Sequence, residues 1–151
     1  MNTYATIKFI HVLAAVIALG ANLTYPAWLF RGRSDEKYLR FSLEGIRFLD
    51  NWIANPSYII SLLTGLYMCH LIELSVLSIK WVRYALVLYS TMSVLGFAIY
   101  TPILRKQIEA LADEGIHSDR YVYLDKWQTG IGVMLFLLAL TILYLMTAKP
   151  I

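Results

Sequence analysis

Four long apolar runs leave this chain few ways to fold: residues 3–30, 52–77, 81–104 and 127–148. Each reaches the ~20 residues that a membrane-crossing helix needs. The hydrocarbon core offers no partners to bare backbone, so each run must be helical. Of the 151 residues, 59% are hydrophobic and 15% are charged, against roughly a quarter charged in an ordinary soluble domain. Little remains outside the runs except short loops. The expectation is an all-α, integral membrane four-helix bundle, a single four-span domain over residues 1–151 embedded in the lipid bilayer. A cleavable leader ending after Gly20 is the weaker reading of the first run, because the apolar stretch continues through Leu23 to Phe30.

Charge gives the expected sidedness. Arg31, Arg33, Lys37, Arg40 and Arg47 fall in the first loop, and Arg105, Lys106, Arg120 and Lys126 in the third. The opposite side holds Lys8, Lys80, Arg83 and Lys149. The excess of basic residues places loops one and three in the cytoplasm and both termini outside. A net charge of +3 is accounted for by these loops and does not point to nucleic acid. Cys69 is the single cysteine, so there is no intramolecular disulfide.

The chain also repeats itself weakly. Phe48-Leu49-Asp50-Asn51-Trp52 recurs as Tyr123-Leu124-Asp125-Lys126-Trp127, and Leu19-Gly20 as Leu95-Gly96. Tyr25-Pro26-Ala27-Trp28-Leu29 is similar to Tyr100-Thr101-Pro102-Ile103-Leu104, and Leu63-Thr64-Gly65-Leu66-Tyr67 to Leu140-Thr141-Ile142-Leu143-Tyr144. A nearly constant offset of 75–77 residues argues for two parallel helical-hairpin repeats, about 3–77 and 79–148. On that scheme Pro26 and Pro102 kink or end helices near the cytoplasmic face. Asp50 and Asp125 cap or precede the returning helices. Trp52 and Trp127 sit in the interfacial aromatic belt.

His11 and His70 break the repeat, since the matching positions are Val87 and Thr147. Counted from the cytoplasmic end of its run, each histidine lies ~27–28 Å up a helix, so both fall at similar depth near the outer face. An ionisable side chain inside a span is costly and points to function. Two imidazoles at one level suit the axial positions of haem iron, whereas structural zinc wants four ligands. Lys8 and Arg83, near the same face, would be placed to hold the haem propionates. The plainer alternatives are a neutral His11 bonding a neighbouring helix, an interfacial His70, and a Lys8 that snorkels to the surface. Copper is the competing cofactor, through Met68, Cys69 and His70. Consecutive helical residues point about 100° apart, however, so all three cannot face one ion. His117 reads as a solvated loop residue.

These residues also carry a family resemblance. Ile7-Lys8-Phe9-Ile10-His11, then Gly20, then Leu29-Phe30, resemble the first helix of the HemJ-type membrane protoporphyrinogen oxidases. Asn55-Pro56 with Gly65-Leu66, and Trp81-Val82-Arg83, are similar to the starts of that family's second and third helices. Overall the chain resembles a small bacterial family of integral membrane proteins of unknown function in the HemJ/CopD-like superfamily. The resemblance implies haem b at His11 and the bacterial inner membrane as location. HemJ-type enzymes carry a lysine in helix three where this chain has Ala85, a departure that weakens any inference of protoporphyrinogen oxidation.

The functional expectation is a b-type cytochrome-like, metal-binding protein holding haem b through His11 and His70. It would act in electron transfer or as a haem-dependent oxidoreductase, with a redox partner or quinone, as a homodimer or a subunit of a larger complex. Copper handling or solute transport of the CopD-like type is one alternative. It would need a mid-membrane cavity built from Asn22, Thr24, Ser61, Thr64, Ser90 and Ser93. A cofactor-free accessory subunit is the other.

Overall fold

The computed structural model describes residues 3–76 and 78–149, and among these there is no β-strand. The chain runs through α1 (Thr3–Gly32), α2 (Glu36–Leu49), the π-helical segment π1 (Asp50–Ala54) and α3 (Asn55–Leu71). It continues through α4 (Lys80–Val94), π2 (Leu95–Tyr100), α5 (Thr101–Glu114) and α6 (Asp119–Ala148). The π segments join their neighbours without a break, so the fold is four rods: residues 3–32, 36–71, 80–114 and 119–148. At ~1.5 Å per residue the 30-residue helices α1 and α6 are each about 45 Å long. That exceeds a ~30 Å hydrocarbon core, and one end of the bundle must project beyond it.

Burial identifies that end. Leu39, Leu43 and Ile46 of α2, Leu104, Ile108 and Leu111 of α5, and Tyr121 and Leu124 of α6 form one buried cluster. Leu39, Leu43 and Ile46 recur at helical spacing, and burying each contributes ~1.5–3 kcal/mol over leaving it in water. The rods' other halves present apolar side chains outward, among them Phe9, Val16, Leu63, Val87 and Leu137. One end is therefore packed like a soluble bundle, and the other has a surface suited to lipid. Thr3–Gly32, Lys80–Glu114 and Asp119–Ala148 are long and apolar enough to cross a membrane by length and composition. α3, with 17 residues, lies antiparallel against α1.

Local chemistry sets the boundaries. Asp35 caps α2 by accepting the Lys37 N–H at 2.7 Å, and Ser118 caps α6 by accepting the Tyr121 N–H at 3.1 Å. The α1–α2 corner is tight: a Cβ on Gly32 would lie 2.6 Å from Ser42 Oγ. Each π segment leads directly to a proline pair. The Asn55 N–H reaches the Asp50 carbonyl ahead of Pro56, and the Thr101 N–H reaches the Gly96 carbonyl ahead of Pro102. A proline ring clashes with the carbonyl four residues back and donates no bond, and a widened turn accommodates both defects. α3 ends in a Schellman arrangement, with the Glu73 N–H on the His70 carbonyl and the Leu74 N–H on the Cys69 carbonyl. Glu73 occupies its left-handed position at φ 53°.

Several expectations change. The stretches read as loops one and three are largely helical, as α2 and α5, and they carry most of the buried core, because their apolar residues repeat every three to four positions between charges. The second apolar run was expected to stay helical to Leu77. Its helix stops at Leu71, turned by Glu73, and Leu77 itself lies outside the described residues. Pro26 neither ends α1 nor starts a new element; the helix continues to Gly32. Asp125 lies inside α6 rather than at its start, because Ser118 supplies the cap. α1 pairs with α3 and α4 with α6, as two hairpins would, but the wide turns at 50–54 and 95–100 do not fall at matching positions of the expected repeats.

Candidate functional site

His11 faces α3. Its Nδ1 lies 2.8 Å from the Ser61 carbonyl oxygen and 3.3 Å from Thr64 Oγ1. Thr64 in turn donates its hydroxyl proton to the Ile60 carbonyl at 2.6 Å, so the imidazole N–H is the donor toward α3. The ring lies almost on the α3 backbone: a Cβ on Gly65 would be 3.0 Å from His11 Cε1. Glycine there lets the ring pack closely; a larger residue would need the imidazole to shift by a few tenths of an ångström.

His70 is not brought to it. It stands five to nine residues beyond the Ser61–Gly65 contact, which turns it roughly 120–180° around α3. Its ring is exposed and tilted against Tyr67, with centroids 6.4 Å apart. A haem shared by the two imidazoles between these helices does not fit this arrangement. The His11 ring fills the gap to α3, and His70 points elsewhere. Lys8 is exposed, and the exposed Arg83 has its guanidinium 5.9 Å from the centre of the Tyr84 ring. Among the described residues no group of three or more His, Cys, Asp or Glu could hold a metal ion. Four of the polar residues considered for a transport cavity, Asn22, Thr24, Ser61 and Thr64, are engaged elsewhere. Ser61 and Thr64 serve His11, Thr24 bonds the Ala21 carbonyl at 2.7 Å, and Asn22 bonds Tyr58.

A different constellation lies where the two hairpins meet. The Asp50 carboxylate is buried and accepts from Tyr25 Oη at 3.4 Å, Asn55 Nδ2 at 3.3 Å and Thr101 Oγ1 at 3.5 Å. These bonds tie α1, π1, α3 and α5 together. Nearby, Gln128 of α6 donates Nε2–H to the Tyr100 hydroxyl at 3.0 Å. Asn22 donates to the Tyr58 hydroxyl at 2.6 Å, and Tyr89 donates to the Tyr58 carbonyl at 2.7 Å. A buried polar network of this kind is stable when its members are paired and costly where one is not. One is not: Gln128 is 2% exposed, and its Oε1 has no hydrogen-bond partner.

Gln128 also lines a cleft between α1 and α6 with a volume of about 460 Å³. Asn22, Tyr25, Tyr100 and Gln128 form its polar back wall, and Leu23, Phe30, Val133 and Phe136 are among its apolar sides. Leu23 and Phe30 are 60% and 82% exposed, so the mouth opens on the outer surface of the bundle. From Asn22 to Arg33 it follows α1 for on the order of 16 Å. Arg33 lines the lower end and pairs with Asp125 at 3.2 Å, and Asp125 also accepts from the buried Gln107 at 3.0 Å. Gly132 also lines the cleft; a Cβ there would stand in ordinary contact, 3.5 Å from the Tyr100 ring, and a longer side chain would enter the cleft.

Reasoning from sequence missed this cleft. Asn22 was considered only as a transport residue, and Tyr25 and Tyr100 only as part of the repeat. The available signal was Gln128, an amide near the start of an apolar run, since polar groups inside spans are rare and functional by default. No curated protein and no solved structure matches the chain. Long apolar helices, a lipid-suited surface and a match over residues 5–150 agree: the chain belongs to the family DUF2269, described as a predicted integral membrane protein.

Proposed function

We propose that this protein is a four-span membrane protein that binds a chain-bearing, membrane-soluble amphiphile in the α1–α6 cleft. α3, antiparallel to α1, supplies the fourth crossing, and the buried cluster of α2 and α5 lies in the cytoplasm. The observation that carries this reading is the cleft itself, apolar along Leu23, Phe30, Val133 and Phe136 and polar where Asn22, Tyr25, Tyr100 and Gln128 meet. A ligand's polar head would meet those polar side chains while its chain covers Leu23, Phe30 and Phe136. The volume falls within the ~300–1,000 Å³ typical of ligand pockets, and the mouth opens where a membrane solute would enter. The test is native mass spectrometry of the purified protein and of Gly132→Leu, whose side chain would occupy the cleft. Wild type should retain a bound amphiphile that Gly132→Leu lacks at unchanged folding. Equal retention by both would refute the reading.

A second reading keeps haem b as the cofactor, held through His11 alone in a HemJ/CopD-like manner, with electron transfer as the role. It is supported by the tautomer: with Nδ1–H directed at the Ser61 carbonyl, Nε2 carries the lone pair a metal needs. A Soret band in the purified protein, lost in His11→Ala, would support it. A colourless protein after haem supplementation would end it.

A further inference from the structure

Among the described residues, the α1–α6 cleft is lined by one charged side chain, Arg33. Its backbone N–H still bonds the Leu29 carbonyl at 3.1 Å, so Arg33 continues the last turn of α1. The side chain is 54% exposed, and its guanidinium gives one N–H to Asp125 Oδ2 at 3.2 Å. Arginine carries five N–H donors in a planar fork, and one contact to one carboxylate oxygen leaves most of that fork open. Asp125 is held from a second side by Gln107 at 3.0 Å, and it does not line the cleft. The charge that the cleft presents to an occupant is therefore positive.

The Arg33–Asp125 pair also sets α1 and α6 at one level. At ~1.5 Å per residue, Gln128 and Thr129 stand ~4.5–6 Å along α6 from that level, and Val133 and Phe136 ~12–16 Å along it. On α1, Pro26 and Leu23 stand ~10–15 Å from Arg33. The wall thus runs from a cation, through an amide and a hydroxyl, to apolar side chains. Phosphate, glycerol esters and acyl chain follow one another in the same order in a phospholipid.

The surroundings of Arg33 favour a net negative head. Arg31 and Lys37 flank it in sequence and are exposed. The acids of the same turn are directed elsewhere: Asp35 caps α2 through the Lys37 N–H, and the Glu36 carboxylate lies near Gly115. Arg33 follows Phe30, the last apolar residue of α1 before the basic segment, which is 82% exposed. With the α2–α5 end in the cytoplasm, that is where the phosphates of the inner leaflet lie. Basic pockets between membrane helices on that side bind anionic heads, and the arginine fork matches two phosphate oxygens at once. We propose that the cleft is a site for an anionic phospholipid of the cytoplasmic leaflet, with its phosphate on Arg33 and an acyl chain between α1 and α6. A zwitterionic lipid offers the same phosphate but brings a cation beside Arg31 and Lys37, so it binds less well.

This assignment rests on the amphiphile reading, and one experiment separates the two. Native mass spectrometry counts the lipids kept by the full chain released from nanodiscs of equal phosphatidylglycerol and phosphatidylcholine with identical acyl chains. Wild type should keep phosphatidylglycerol about 5- to 30-fold over phosphatidylcholine, the effect of one to two basic side chains at the head. In Arg33→Gln the preference should fall to about twofold or less, with Arg33→Lys, which keeps the charge but not the fork, in between. Equal retention of the two lipids by wild type overturns the anionic assignment. So does an undiminished preference in Arg33→Gln. Gly132→Leu should lose the bound lipid of either kind. If it keeps as much as wild type, the cleft holds no amphiphile, a failure distinct from the loss of head-group preference.

Discussion

Deleting the same atoms from the two ends of this bundle should have very different costs. Leu43 is 0% exposed within the buried cluster, whereas Leu63 on α3 is 60% exposed. Leu43→Ala removes apolar atoms from a packed interior and leaves a cavity, an expected loss of ~2–5 kcal/mol. Leu63→Ala removes atoms that face lipid or detergent chains as apolar as leucine itself, and most of their contact is replaced by solvent of the same character. Its cost should stay below about 1 kcal/mol. The difference is at least about 1–2 kcal/mol, or roughly 5- to 30-fold in the folding equilibrium. Reversible SDS titration in dodecylmaltoside micelles, followed by far-UV circular dichroism, measures both variants on one scale. Equal losses would refute the division into a protein-packed end and a lipid-covered end, because Leu63 would then face protein.

Three further substitutions test local claims. Glu73→Gly should stabilise the protein by about 1 kcal/mol in the same titration, because a non-glycine residue at φ 53° carries left-handed strain; a loss would mean its side chain does something the backbone argument omits. Gly32→Ala should cost ~1–3 kcal/mol, since its Cβ would meet Ser42 Oγ at 2.6 Å and the Leu39 backbone at 3.0 Å; a neutral result would show that the α1–α2 corner yields freely. Gln128→Leu should cost ~1–3 kcal/mol in the same titration, because it leaves the buried Tyr100 hydroxyl without the bond from Gln128. A neutral or stabilising result would show that this bond does not help to join α6 to the 95–100 segment.

The helical class was legible, as were the apolar runs 3–30, 81–104 and 127–148 that lie within the candidate spans Thr3–Gly32, Lys80–Glu114 and Asp119–Ala148, because twenty-residue apolar runs have one physical solution in a membrane. Loop residues such as Leu39, Leu43 and Ile46 were not given their weight. They repeat at helical spacing inside a charged segment, a pattern that hydropathy averaging hides. The pairing of His11 with His70 was argued from depth along two helices. Depth says nothing about azimuth, and rotation around α3 separates the rings. Gly65 carries the missing information: a glycine where α1 needs room for an imidazole. The cleft was hidden for a related reason. Its wall joins Asn22, Tyr25, Tyr100 and Gln128 from three distant segments, and only the packing of α6 beside α1 makes them neighbours.

On the proposed reading one cleft, and not the lipid-facing surface in general, holds a specific amphiphile. The decisive measurement crosslinks the protein in nanodiscs with a diazirine-bearing fatty alcohol and maps the adducts by peptide mass spectrometry. Labels should concentrate on Leu23, Phe30, Val133 and Phe136, be competed away by the unlabelled alcohol and be absent in Gly132→Leu. Labels spread evenly over Leu63, Val87, Leu137 and the other outward apolar residues, and indifferent to competitor, would contradict it.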